Sequence, residues 1–216
     1  ARRNALVRAG AQALAGGNNP VTVSPASIVG AQLAPDKGLA TLPITCMVIG
    51  MWLGSLPVGA LARHFGRRFA LQTGSAFGIL SGLISYSAVM NGQFWLLLVG
   101  TFCGGLYAAA HNSYRFAAAD TASEAFRPKV VSWVLAGGVF AAVIGPQLVI
   151  FTKDILTPHI FAASYLGQSV CAAIAALVLM AVKIPPLPAV HAVKARPLAE
   201  IARAPRFIVA VACGMA

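Results

Sequence analysis

Charge is scarce in this sequence. Only 10% of its 216 residues are charged, against about 25% in an ordinary soluble domain. Acidic residues are scarcest, five Asp and Glu beside 16 Lys and Arg. None of Asp36, Asp120, Glu124, Asp154 and Glu200 falls inside a long apolar run, so these runs carry no buried carboxylate of raised pKa. The cysteines are few and scattered: Cys46, Cys103, Cys171 and Cys213 each lie in a different apolar segment. Without a CxxC or a Cys/His ligand spacing, neither a metal site nor a disulfide framework is indicated. The apolar runs also lack a Ser/His pair, paired Asp residues or a His-rich cluster, which argues against a membrane-embedded enzyme and against a cofactor. A cleavable signal peptide is not indicated, because the first apolar stretch is too long and lacks a cleavage-type ending.

What fills the chain is hydrocarbon. Hydrophobic residues make up 58% and the mean hydropathy is +0.79, which implies an all-α, polytopic membrane protein in contact with lipid. A net charge of +11 would suggest nucleic acid in a soluble protein. Here the basic residues punctuate apolar spans and form no continuous face, so nucleic-acid binding is excluded.

Six spans are expected. The first, Ala9–Leu33, follows the basic segment that contains Arg2, Arg3 and Arg8. It exceeds what a core of about 30 Å requires, as a tilted or broken helix would. Its middle reads Gly16-Gly17-Asn18-Asn19-Pro20, a poor helix former that lipid tolerates only where protein or a wet cavity satisfies the backbone. The others are Leu39–Ala62, Phe69–Met90, Phe94–Ser113, Val130–Phe151 and Ile160–Val182. Gly50 and Gly54 in the second span, and Gly74, Gly78 and Gly82 in the third, are spaced for close helix contact.

Residues 1–182 thus form a six-helix transmembrane unit. Residues 183–206 form a basic linker with Pro185, Pro186, Pro188, Pro197 and Pro205, and residues 207–216 open a seventh span. The chain reads as a piece of a longer protein. With loops on alternate sides, only Lys37 and Lys153 of the 16 Lys and Arg fall outside, which places the amino terminus in the cytoplasm.

The stretch Gly59-Ala60-Leu61-Ala62-Arg63-His64-Phe65-Gly66-Arg67-Arg68 is expected to be a short cytoplasmic connection, since a central Arg costs at least about 2.5 kcal/mol in a bilayer core. Its spacing resembles the G-x-L-x-D-R-x-G-R-R loop between helices 2 and 3 of the major facilitator superfamily. Gly59, Leu61, Gly66, Arg67 and Arg68 match, while Arg63 stands at the acidic position and His64 at a basic one. Gly137 to Gly145-Pro146 is similar to that family's glycine-rich motif of helix 5, without a later glycine at Gln147-Leu148-Val149. The resemblance covers essentially the whole chain. It implies one half of a twelve-helix fold, whose partners are the carboxy-terminal half, membrane lipid, a small organic solute bound near the midplane and a coupling proton or ion. It also implies a secondary transporter of alternating access in a bacterial-type inner membrane. The alternative is a non-transporting sensor or assembly subunit on the same scaffold.

Amides both donate and accept, so Gln12, Asn18, Asn19 and Gln147 are the candidate solute contacts, with Tyr107 as a stacking surface. Polar amides and aromatics without a central charge favour a neutral or zwitterionic solute. His111 and Arg115, four apart, mark the inner end of span 4 as a gate or helix-end contact. Arg115 and Asp120 are expected to join Arg67 or Arg68 in a conformational latch, alongside Gly59, Gly66, Gly137, Gly145 and Pro146. Any proton coupling falls to His111 or to a carboxylate in the other half.

Overall fold

The structure is a computed structural model that describes residues 22–112, 132, 142–143 and 145–181. Apolar length and good helix formers make the elements helices. They are α1 (22–33), α2 (Leu42–His64), α3 (Arg67–Met90), α4 (Phe94–Asn112), the end of a fifth helix α5 (145–152), and α6 (Ala162–Ala181). A 3-10 turn, Lys37–Leu39, is capped by the Asp36 side chain, which accepts from the Gly38 N–H. Among the described residues, four stretches are long and apolar enough to cross a membrane: Lys37–His64, Arg68–Met90, Phe94–Asn112 and Ala162–Met180. The chain is an all-α integral membrane protein.

Burial sets the order of the helices. In its most apolar window α4 is 61% buried and α2 only 17%, so α4 lies inside and α2 outside. The α2–α4 pair runs parallel: Gly50 meets Phe102 and Gly105, and four residues on Gly54 meets Leu106 and Ala109. The α3–α4 pair runs antiparallel, with Gly74 on Ala110 and Gly78 on Tyr107. On its other side α3 packs antiparallel on α6, where Gly78 meets Ala172 and Gly82 meets Ser169. Thr22 of α1 approaches Gly104, and Leu148 of α5 lies against Gly167. The glycine ladder expected in span 3 is therefore a seam shared by two neighbours, since without Cβ atoms the backbones come close enough for dispersion.

Two apolar clusters fill the interior at different depths. Val29, Ala88, Val89, Leu97, Val149, Phe161, Ala162 and Tyr165 form one, and Leu71, Tyr107, Ala175 and Leu179 the other. Phe161 closes the turn before α6 with φ 69°, and its N–H donates to Lys153 O at 2.9 Å. That left-handed backbone costs a non-glycine residue roughly 1–2 kcal/mol, which burial of the Phe161 ring offsets. Val48, Ile49, Trp52, Leu53 and Leu56 are exposed along α2, an apolar outer surface suited to lipid or to further protein.

Candidate functional site

The basic stretch is mostly helix. Contrary to the expected loop, α2 continues through Arg63 to His64 and α3 resumes at Arg67, leaving only Phe65 and Gly66 between them. Charge ends a membrane span without breaking a helix, and Leu, Ala and Arg are strong helix formers. The break belongs to Gly66, whose φ of 86° is open to glycine and strained for any other residue. Gly59 has nothing within 4 Å of the position a Cβ would take.

Arg63, His64 and Arg68 lie exposed at this end of the bundle, and Lys37 and Lys153 lie at the helix ends opposite. Arg68 reaches across to α6, its guanidinium donating to Met180 O at 2.7 Å. The last carbonyls of a helix have no intrahelical partner and carry its negative dipole end. A cation placed there both caps α6 and ties it to the start of α3. Of Arg67 the structure describes only the backbone.

Two of the candidate residues sit deep in α4. Tyr107 is 4% exposed; its ring lies over Gly78 and joins the Leu71, Ala175 and Leu179 cluster. That makes it a packing element between α3 and α6 rather than an open stacking surface. His111 is buried one turn further on, at the basic end. Beside it Asn112 Nδ2 approaches Met51 Sδ at 3.8 Å, a contact between the end of α4 and the middle of α2. On α5, Gly145 is buried while Pro146 and Gln147 are exposed. Gln12, Asn18, Asn19, Arg115, Asp120 and Gly137 lie outside the described residues, as do the linker 183–206 and residues 207–216.

The structure also contains a polar layer that sequence reasoning missed. Ser81 Oγ donates to Gly100 O of α4 at 2.7 Å and receives Gln168 Nε2 of α6 at 3.3 Å. Ser169 Oγ donates to Ile79 O of α3 at 3.1 Å. Ser81, Ser85, Tyr165 and Gln168 are all fully buried. Gln168 carried a readable signal, because a polar side chain inside a span is costly and almost always faces protein. In the sequence it was overshadowed by the helix-breaking run near Asn18.

Known proteins resemble this arrangement. The Major Facilitator Superfamily profile matches residues 9–216. A riboflavin transporter of Brucella anthropi is 40% identical over the whole of this chain and 55% of its own length. An uncharacterized transporter of the same family from Bacillus subtilis, YddS, is 32% identical over 56% of this chain and 29% of its own. Among solved structures, a D-xylose–proton symporter superposes with a TM-score of 0.67 at 14% identity, over 86% of this chain and 48% of that one. The inward-open xylose transporter XylE of E. coli gives 0.62 at 14% identity, over 87% and 48%. At that identity the superpositions speak to fold alone. The chain spans about half the length of the riboflavin transporter it matches.

Proposed function

Because this chain belongs to the major facilitator superfamily, we propose that it forms the amino-terminal half of a secondary transporter for riboflavin or a closely related flavin. It is a transporter-family membrane protein and not an enzyme. The observation that carries the flavin assignment is 40% identity to a riboflavin transporter along the full length of the chain. The chemistry agrees. Riboflavin is neutral at pH 7, with an imide edge and a polyol chain that need paired donors and acceptors, and amides supply both.

In this reading Gln12, Asn18, Asn19 and Gln147 contact the solute from helix 1 and the Pro146 turn of helix 5. Tyr107 supports them from behind as packing. Gln147 is exposed beside Pro146, on a surface the carboxy-terminal half would cover. The two halves rock about the bound solute, exposing it to each side in turn. Gly59, Gly66, Arg67, Arg68, His111, Arg115, Asp120, Gly137, Gly145 and Pro146 serve that motion. The protein sits in a bacterial inner membrane with its amino terminus in the cytoplasm, a reading supported by the lopsided distribution of Lys and Arg. A coupling proton, if used, passes through His111 or through the other half.

A riboflavin auxotroph expressing the full-length protein tests this. Growth at riboflavin concentrations too low for the parent strain is the expected result. No growth advantage, with the protein demonstrably in the membrane, contradicts the flavin assignment and favours a sensor or assembly role.

A further inference from the structure

We propose that Ser85, Tyr165 and Gln168 enclose a buried hydration site between α3, α4 and α6, holding one or two water molecules as fixed structural ligands.

Most hydroxyls in these helices are self-sufficient. Thr73, Ser75 and Ser87 of α3 and Thr152 of α5 each donate back to the carbonyl four residues earlier. Ser85 does not, although it lies between Ser75 and Ser87 on the same helix. Its Oγ, the Tyr165 hydroxyl and Gln168 Oε1 are buried with no hydrogen-bond partner among the described residues. All three residues are 0% exposed. Three such atoms on two packed helices are unusual, because buried polar groups are almost always paired with protein or with ordered water.

The three share one level of the bundle. Gly82 marks it: a Cβ there would lie 2.5 Å from Tyr165 O and 3.0 Å from Ser169 N. Ser81 and Ser85 flank Gly82 on α3, about one turn apart. Tyr165 and Gln168 are three apart on α6 and so share a face. Ser85 Oγ lies where a Cβ on Gly100 would stand, and Ser81 Oγ bonds Gly100 O. Ser81, Ser85 and Gln168 therefore meet at the Gly82–Gly100 crossing, and Tyr165 lies one turn before Gln168 on the same face of α6, its ring in the adjoining Ala88–Leu97 cluster.

The donor set selects the ligand. Two hydroxyls give and accept protons, and an amide oxygen accepts. Water, which forms two to four hydrogen bonds in a buried site, matches that set. A metal cation would also take oxygen ligands, but the layer has no carboxylate, and a buried charge without a counter-charge is disfavoured.

Apolar isosteres distinguish a wet site from a dry one, because they act with opposite sign. In the full-length protein, Tyr165→Phe and Ser85→Ala should each lower the thermal midpoint by about 2 °C or more, through loss of a bridging partner. An unchanged or raised midpoint in either variant overturns the proposal, since a dry orphan gains from its removal. Should a variant fail to fold, brief X-ray radiolysis of the wild-type protein with mass spectrometry reads the same site. Oxidation of Tyr165 at doses that modify the exposed Phe65 is expected; an unmodified Tyr165 contradicts bound water. A midpoint that climbs with sodium and not with choline, only while Gln168 is intact, replaces water with a cation.

Discussion

The two seams that hold α4 and α3 to their neighbours are built differently. Between α2 and α4 the contact is glycine on backbone: a Cβ at Gly105 would stand 2.7 Å from Met51 N, and one at Gly50 would run into Phe102 O. Among the described residues, the side-chain contact across it is the weak one from Asn112 Nδ2 at the end of α4 to Met51 Sδ at 3.8 Å. Between α3, α4 and α6 the glycines alternate with Ser81, Ser85, Gln168 and Ser169, and three hydrogen bonds of this layer cross from helix to helix, besides that of Arg68 at the basic end. Lipid tails compete equally well for apolar surface, so neither seam gains from a hydrophobic drive. The first relies on close approach and dispersion, the second adds polar bonds that specify register.

That difference can be broken most forcefully at Gly105. Gly105→Val has no room to relax because its neighbours are backbone atoms. A loss of at least about 3 kcal/mol is expected, seen as aggregated protein in size-exclusion chromatography. A monodisperse yield equal to wild type would mean the seam is looser than described. Ser81→Ala should cost less, about 1–3 kcal/mol, by stranding the Gln168 amide. The back-bonded Ser75→Ala is its control, and thermal unfolding of the pair reads the difference. Equal midpoints would reduce the polar seam to ordinary small-residue packing.

Arg68→Ala comes next, at about 0.3–1 kcal/mol for loss of a cation at a helix carboxyl end. Its signature is local: faster amide exchange in the last turn of α6 and no change in α2, with partial recovery in Arg68→Lys. Smallest of all is Gly59→Ala, expected within about 0.5 kcal/mol of wild type because no atom lies near. If Gly59→Ala nevertheless impairs uptake at unchanged stability, Gly59 serves the motion and not the packing.

Much of the fold was legible because its signals are local. Span length, the Gly50/Gly54 pair and the Gly74/Gly78/Gly82 ladder need no knowledge of distant residues, and α3 and α4 begin and end within about two residues of the expected bounds. The basic stretch misled because composition marks where a membrane ends and not where a helix does; only Gly66 breaks the backbone. The polar layer was illegible for another reason. Gln168 and Ser81 are 87 residues apart, and nothing near either residue announces the other. An aromatic in a span can stack on a solute or pack in the bundle, and for Tyr107 only the structure shows Gly78 beneath the ring. Sequence alone marks Gln12, Asn18 and Asn19, through the helix-breaking Gly16–Pro20 run.

The central claim, a flavin carrier whose solute contacts are neutral amides, is tested most directly by counterflow of radiolabelled riboflavin in proteoliposomes. Wild type should accumulate label against a preloaded unlabelled pool. Asn18→Asp and Asn19→Asp, inserted and folded to the same extent, should reduce the rate at least tenfold by burying a charge beside a neutral solute. Undiminished exchange in both variants would remove the amides from the site, and absence of exchange in wild type would contradict the carrier itself.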